Sequence, residues 1–426
     1  MSSRSLTKLV LLATVAAAGL SFSAPAKAAG FYIQEQSVSG LGSAFSGAVS
    51  NLNDPSTIYF NPAGMTRLQG IQTQVGVHLI MPNSDITDTG SSAPPTATLG
   101  GSAGNPYEPT PVPNGFVSYQ INDSLWAGVG ITAPFGLGSD YGTSWFGRFD
   151  STKTELKVID IQPTIAYKMN DKLSLGVGVN IQKAEADLRN RVMIGAATEA
   201  NSQLKGDDWG FGYSFGLQYQ PWESTVFGVN YKSEVHQNLD GRIQVTTLAG
   251  AVVGAGTTST PGSAKLTTPD HLTMGVAHKL NDKLTLQGQA IWFGWNNFDN
   301  ITAFRNTGAQ ASRVEQNYQT TWAFALGAEY EASDAWTFRG GVQFDETPTT
   351  DEYRTSRTPD GDRTWASLGA TYGLTDHIDL DMAATYIHVA DEEINLNRTT
   401  ATGTAVIRGD TEGHVGILAL GMTYKF

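Results

Sequence analysis

KLSLGVGVNIQ, residues 172–182, has a period of two. Leu173, Leu175, Val177, Val179 and Ile181 fall on one face; Lys172, Ser174, two glycines, Asn180 and Gln182 fall on the other. Side chains of a strand point alternately to its two faces, so the pattern predicts a β-strand with one apolar and one polar side. The alternation returns in residues 336–345, where Trp336, Phe338, Val342 and Phe344 oppose Thr337, Arg339, Gln343 and Asp345. In residues 377–385, Ile378, Leu380 and Met382 oppose Asp379 and Asp381. A soluble sandwich shows the same period, so alternation gives an all-β chain and leaves its architecture open.

The spacing of the breaks decides the architecture. Short polar turns stand at Asn122-Asp123, Asn170-Asp171, Pro221-Trp222-Glu223, Asn281-Asp282, Ala332-Ser333-Asp334 and Thr375-Asp376. They recur roughly every 50 residues, which fits two strands of ten or more residues plus one loop per repeat. Longer stretches that read as loops run over 83–111, 138–151, 190–206, 246–261, 299–315, 347–359 and 395–404. Six tight turns alternating with seven loops predict fourteen strands, with both ends of the array on the short-turn side. Short turns on one side, long loops on the other and an even strand number describe an antiparallel transmembrane β-barrel of the outer membrane. A sandwich would have strands of about 5–6 residues and loops of mixed length at both ends. In the last strand Leu418, Leu420, Met422, Tyr424 and Phe426 alternate with small or polar residues. Tyr424, Phe426, Trp126, Trp222 and Trp336 stand where an interfacial aromatic girdle belongs.

The start of the chain does not alternate. Arg4 and Lys8, an apolar run over residues 9–20 and Ala26-Lys27-Ala28 read as a secretory signal over residues 1–28. Residues 29–64, AGFYIQEQSVSGLGSAFSGAVSNLNDPSTIYFNPAG, are rich in Gly, Ser, Ala and Asn, with Asp54-Pro55 and Asn61-Pro62 as turn-formers. Small residues let a backbone pack in a confined space, and polar ones satisfy it. Phe31, Tyr32, Ile33, Phe45, Ile58, Tyr59 and Phe60 make it too apolar for a disordered tail. The expected organisation is therefore a signal over 1–28, a hatch over 29–68 that plugs the barrel, and a barrel wall over 69–426.

Composition removes other classes. The chain has no cysteine, so neither disulfides nor a cysteine metal site support it. Its 27 basic against 40 acidic residues argue against nucleic acid as a partner. The seven histidines are scattered and no G-x-S-x-G or H-E-x-x-H occurs, so no catalytic site is expected, and no cofactor or metal. A general diffusion porin is the alternative function, opposed by the plug-like start and by apolar residues in the loops.

Several motifs, in order, resemble the FadL-type outer-membrane transporters of long-chain fatty acids and other hydrophobic compounds. They are Ala29-Gly30-Phe31, Ser39-Gly40-Leu41-Gly42, Asn61-Pro62-Ala63, Ala133-Pro134-Phe135-Gly136-Leu137 and Trp145-Phe146-Gly147-Arg148-Phe149. Asp208-Trp209-Gly210-Phe211-Gly212, Tyr231-Lys232-Ser233-Glu234-Val235 and Pro359-Asp360-Gly361-Asp362-Arg363 continue the resemblance over the mature chain. It implies a fourteen-stranded barrel closed by an N-terminal hatch, generally monomeric, that passes a hydrophobic small molecule sideways into the bilayer. The implied gap lies at Pro134, Phe135 and Gly136, where Pro removes a ladder donor and Gly weakens the strand. Asn61, Pro62 and Ala63 would be a hatch turn touching that kink, with Phe31 also in the hatch. Arg189 or Arg191 would meet a ligand carboxylate, whereas Gln319 stands where fatty-acid members carry a second basic residue, a departure that favours a neutral or aromatic ligand, so fatty acids and aromatic or aliphatic hydrocarbons both stay open as substrates. Val192, Met193, Ile194 and Leu248 would line an apolar capture groove in the loops. Arg339 and Arg363 are expected to pair with Asp345, Asp379 or Asp381. Outer-membrane lipids, lipopolysaccharide and the barrel-insertion machinery, which a terminal Phe426 resembles a signal for, complete the expected partners.

Overall fold

The computed structural model describes residues 30–195, 198–247 and 256–426. The signal expected over 1–28, Ala29 and the groove residue Leu248 lie outside them. The strands are β1 (Ile71–Asp88), β2 (Thr110–Asn122), β3 (Leu125–Asp140), β4 (Lys153–Lys168), β5 (Leu173–Ile194), β6 (Thr198–Trp222), β7 (Thr225–Lys232), β8 (Val235–Thr247) and β9 (Gly256–Thr268). They continue as β10 (His271–Lys279), β11 (Leu284–Phe293), β12 (Asn300–Arg305), β13 (Gln310–Glu315), β14 (Thr321–Ser333), β15 (Trp336–Asp345), β16 (Arg363–Thr375), β17 (Ile378–Thr400) and β18 (Gly403–Lys425).

All neighbours are antiparallel, and the sheet closes where β1 pairs with β18 from Gln72↔Lys425 to Asp88↔Gly409. β7 and β8 both continue along β6, while β9–β10, β11–β12 and β13–β14 are likewise single wall strands interrupted once. Eighteen segments thus make fourteen barrel strands. Every short turn expected from the sequence joins two strands on one side of the ring. Closure matters because a spanning sheet has no water to satisfy an open edge.

The alternation has its expected meaning. Val177 and Val179 are exposed on the outside, while Asn180 and Gln182 are buried within. Val75, Val77, Leu418 and Leu420 add to the apolar exterior, and Tyr167, Trp222, Phe338, Tyr424 and Phe426 ring it on the short-turn side. Trp126 departs from the girdle: it turns inward, 3% exposed, and its indole N–H donates to Leu68 O at 2.7 Å.

Several stretches read as loops behave otherwise. Residues 190–206 are strand: β5 and β6 stay paired as far as Ile194↔Thr198. Residues 395–404 likewise belong to the β17–β18 hairpin, paired to Thr400↔Gly403, and β8–β9 reach Thr247↔Gly256. These hairpins stand above the apolar band, where polar residues suit both faces and the alternation fades. Within 138–151 and 347–359 the chain folds inward instead, and Tyr141, Trp145, Phe146, Phe149, Arg354 and Arg357 are buried.

Residues 30–68 lie inside the ring. Val38, Leu41, Phe45, Ile58, Tyr59, Phe60 and Met65 share one core with the wall residues Phe116, Trp126, Trp365, Ile387 and Ile417. Ser37 caps the single helical turn Val38–Leu41, its hydroxyl accepting from Gly40 N at 3.0 Å. Asn61 caps the 3₁₀ turn Pro62–Arg67, with Pro in the first position, where it loses no hydrogen bond.

Candidate functional site

The wall is incomplete on one edge of β3. The β2–β3 ladder ends at Gly115↔Ile131, so among the described residues β3 has no wall strand beside it on that edge from Thr132 upward. On its other edge the β3–β4 register shifts between Thr132 and Phe135, a bulge centred on Ala133-Pro134. Buried backbone groups need partners, and the N-terminal segment supplies them. Ile33 N donates to Pro134 O at 2.8 Å, Gly136 N donates to Phe31 O at 3.0 Å, and Tyr32 bridges Phe135 antiparallel. Gln36 completes the set, accepting from Ala133 N at 3.1 Å and donating to Ala133 O at 2.9 Å. The segment is a short added strand against the opening. Phe31 anchors it, its ring 4.9 Å from Trp295, 5.2 Å from Phe298 and 5.9 Å from Phe135.

Beside that anchor is a narrow apolar cavity of about 60 Å³ with an open mouth. Phe31 contributes to its lining with Leu137 and Leu156 from beside the bulge, and Leu188, Leu239 and Phe298 from other strands. Two cationic residues reach this apolar space, Lys265 and Arg357. Arg357 comes from the inward-folded loop and is 7% exposed. Its Nη2 donates to Asp150 O at 2.8 Å and Arg189 O at 3.2 Å, and its Nη1 to Thr154 Oγ1 at 3.2 Å, Lys153 O at 3.3 Å and Ser151 Oγ at 3.4 Å. Among the described residues no carboxylate oxygen forms an ion pair with it, and burial lowers its pKa. The nearest acid by charge, Asp150, is engaged elsewhere: Arg398 Nε donates to it at 2.8 Å and Ser356 N at 2.9 Å. Burial would raise the Asp150 carboxyl, but Arg398, Arg357 and Ser356 outweigh it and hold the group below the usual range.

The expected site residues divide. Phe31 meets Pro134, Phe135 and Gly136 at the bulge. Asn61, Pro62 and Ala63 do not reach it; they sit against Gly176 and Gly216, which face each other across β5 and β6. A side chain at either glycine would overlap the turn, and Asn61 Nδ2 binds Val49 O at 2.8 Å and Leu217 O at 3.0 Å. Arg189 is held by Asp187 at 2.6 Å on the face of β5 opposite Ala186 and Leu188, so it points away from the cavity. Arg191 is buried 3.9 Å from Glu199, with Nε and Nη1 unbonded. Met193 packs on Phe149 and Ala405, and Val192 and Ile194 are half-buried on the β5–β6 hairpin, so this is not an exposed apolar loop. Arg339 pairs with Glu329 at 2.7 Å and Arg363 with Asp360 at 2.8 Å, neither with the acids expected. Sequence reasoning missed Arg357; the one available signal was three arginines, Arg354, Arg357 and Arg363, in a stretch otherwise typical of a solvated loop.

A closed barrel with an apolar exterior, a filled lumen and an apolar cavity beside an opening in its wall is, by class, an integral outer-membrane transport protein. The sequence profile of the family described as outer membrane protein transport protein (OMPP1/FadL/TodX) matches residues 19–426, and the chain belongs to that family. It is 30% identical to outer membrane protein P1 of Haemophilus influenzae over 451 aligned residues, covering 94% of this chain and 96% of the relative. It is 27% identical to the long-chain fatty acid transport protein of Escherichia coli O6:H1, with 100% of each chain covered. Among solved structures it superposes on a FadL homologue of Pseudomonas aeruginosa with a TM-score of 0.88 at 25% identity, covering 93% of this chain and 100% of the other. The family members are transporters, not enzymes.

Proposed function

We propose that this chain carries long-chain fatty acids, or amphiphiles of the same build, from outside the cell into the outer membrane. The tail lies in the leucine-lined cavity and the carboxylate meets Arg357. The carrying observation is that guanidinium: an ion placed in an apolar cavity with no carboxylate ion-paired to it. A hydrocarbon gains nothing from such a group, whereas an anionic head gains a charge-assisted hydrogen bond. Residues 29–68 act as the hatch, and the ligand leaves sideways at Pro134-Phe135-Gly136 when Phe31 and its neighbours withdraw from β3. Reaching the bilayer core recovers about 0.8 kcal/mol per CH₂. The chain works as a monomer among lipids and lipopolysaccharide, delivered by the barrel-insertion machinery. A diffusion porin would leave its lumen open; here the N-terminal segment and two inward loops occupy it.

The test is equilibrium binding of palmitic acid and of toluene to the purified barrel and to Arg357→Met, with Arg189→Ala as control. Palmitic acid bound by the wild type and weakened only by Arg357→Met supports the reading. Toluene bound in preference, or palmitate binding indifferent to Arg357, overturns it in favour of a neutral hydrocarbon.

A further inference from the structure

The wall is interrupted a second time, between β9–β10 and β11–β12. Their ladder runs from Lys279↔Thr285 to His271↔Phe293 and resumes only at Ala264↔Ala303. Among the described residues no ladder pair joins Lys265–Asp270 to the facing residues 294–302, and a single backbone bond, Gly294 N to Asp270 O at 2.9 Å, closes the lower end. Pro269 has no N–H to offer a ladder, and the facing chain leaves the sheet as the 3₁₀ turn Trp295–Asn297. The other edge of β9 is intact, paired with β8 as far as Val235↔Thr268. Side chains seal what the backbone leaves open. Leu266 from one lip and Phe298 from the other are each 7% exposed and share an apolar cluster with Phe31.

Both lips line the cavity beside Phe31: Lys265 and Leu266 from β9, Phe298 and Ile301 from the other side. Ala264 and Leu266 are buried and Lys265 between them is exposed, so Lys265 stands on the outer face of the wall. The cavity therefore runs up to this gap as well as to the β3 bulge. What lies outside the two openings differs. Beside the bulge the outer face carries Ile131 and Ile159, 53% and 51% exposed, as a wall facing hydrocarbon should. Around the second gap it carries His236, Asn238, Lys265, Asn296 and Asn297, all exposed. Glu234 sits among them, 3.1 Å from His236 Nε2 and accepting from Asn297 Nδ2, and Asp270 accepts from Tyr231 OH at 3.1 Å. Lys265 also stands further from the short-turn end of its strand, Lys279, than Pro134 does from Leu125. The second gap is the higher one, and it faces headgroups and sugars rather than acyl chains.

We propose that the gap between β9 and β12 is the entrance, through which an amphiphile passes sideways from the polar outer layer of the membrane into the cavity, and that the β3 opening is the exit. The proposal rests on the fatty-acid reading above. An amphiphile at this height keeps its head among polar groups while its tail seeks an apolar space. Lys265, which among the described residues forms no ion pair, can hold the carboxylate at the lip. The tail then displaces Leu266 and Phe298 and enters. The way in from above is covered by the inward-folded loops, whose Tyr141, Trp145 and Arg354 are buried. Phe298 is also one of the three rings around Phe31, 5.2 Å away. A tail that displaces it weakens the anchor of the segment over the β3 bulge, so filling the entrance loosens the exit.

The chain has no cysteine, so one introduced thiol can be blocked selectively. Cells displaying the full chain as wild type, Lys265→Cys or Glu412→Cys are treated with a maleimide carrying a long polyethylene glycol, or left untreated, and palmitic acid uptake is measured. Glu412 is exposed across the ring at a similar height, on the outer face of β18 with Leu418 and Leu420. Folding is checked by heat-modifiable migration on gels, labelling by the added mass, and palmitic acid binding is measured on the purified wild type. The expected result is that the label slows uptake by Lys265→Cys about tenfold relative to the same variant unlabelled, and leaves wild type and Glu412→Cys within twofold. Uptake by Lys265→Cys that the label leaves unchanged, or that falls equally in Glu412→Cys, overturns the entrance and leaves the function standing. A wild type that binds no palmitic acid overturns both.

Discussion

Phe31→Ala removes the side chain that anchors the N-terminal segment to the opening in the wall. The ring is 3% exposed and in edge contact with Trp295, Phe298 and Phe135. Truncating a buried Phe to Ala costs about 3–5 kcal/mol. The barrel ladders do not run through residue 31, so nearly all of that cost falls on docking of the segment rather than on the wall. At about 1.4 kcal/mol per factor of ten, the undocked population rises by roughly two to three and a half orders of magnitude. The readout is amide hydrogen exchange at Ile33 and Gly136, whose N–H groups make the two backbone–backbone bonds between the segment and β3. Both should exchange at least a hundredfold faster, while amides in the β17–β18 ladder stay protected. Unchanged protection at Ile33 and Gly136 in a folded variant would falsify the idea that the segment is a separable piece held by this anchor.

Other outcomes follow from the same geometry. Arg357→Met should weaken palmitate by about 1.5–3 kcal/mol, the value of a hydrogen bond to a charged group, and leave hexadecanol binding nearly unchanged in a titration of the purified protein. Burial raises the Glu35 carboxyl to about 7, with Arg363 pulling the other way. A carboxyl raised on docking makes the docked segment bind its proton more tightly than the free one. Docking is therefore strongest below about pH 4.5 and loses roughly 3 kcal/mol as pH rises through 7. Protection factors over residues 30–36, corrected for the intrinsic pH dependence of amide exchange, should be lower at pH 8 than at pH 5, and Glu35→Gln should remove the difference. Asn61→Ala removes the side-chain bonds to Leu217 O and Ala63 N and one of the two on Val49 O, which keeps Gln218. It should cost about 2–4 kcal/mol and expose residues 50–68 to protease in a barrel that still migrates as folded. Gly136→Val places its new atoms against Ile33, so it should speed exchange at Ile33 and slow fatty-acid uptake; normal values of both would count against the docked segment as the gate.

How much of this was legible follows from what each feature depends on. The strand count was readable because tight turns need Asn, Asp, Gly or Pro at fixed places, and every turn such as Asn170-Asp171 or Asn281-Asp282 holds two strands together in the structure. The faces were readable because lipid outside and packed polar groups inside impose opposite chemistry on alternate residues. The hairpin over 190–206 was not, since above the membrane both faces meet water or polar neighbours and the ladder makes no demand on side-chain type. The carboxylate partner was misplaced for a related reason. Arg189 has the right residue type near the right height, but one step along a strand reverses the direction of a side chain, and Arg189 finds Asp187 instead. Arg357 lay hidden because its loop is polar like a solvated one; its burial is supported by oxygens from Asp150, Thr154 and Arg189, some two hundred positions away in sequence.

Those long separations bear on the order in which the molecule is made. Gly30 N, the first of the described residues, donates to Asp360 Oδ2 at 2.8 Å, a span of 330 residues. Every partner of Phe31 also lies far downstream, at Phe135, Trp295 and Phe298. This segment is made long before its partners and takes its structure only with them, and the ring shuts around it, because β1 follows directly after it and pairs with the final strand. A segment that folded early into a hard core would have to be enclosed as a finished body. Its short helical turns, serines and glycines keep it from doing so alone, since turns of four residues are far below the length at which a helix holds in water. Closure of the cylinder supplies the walls that give this segment its shape.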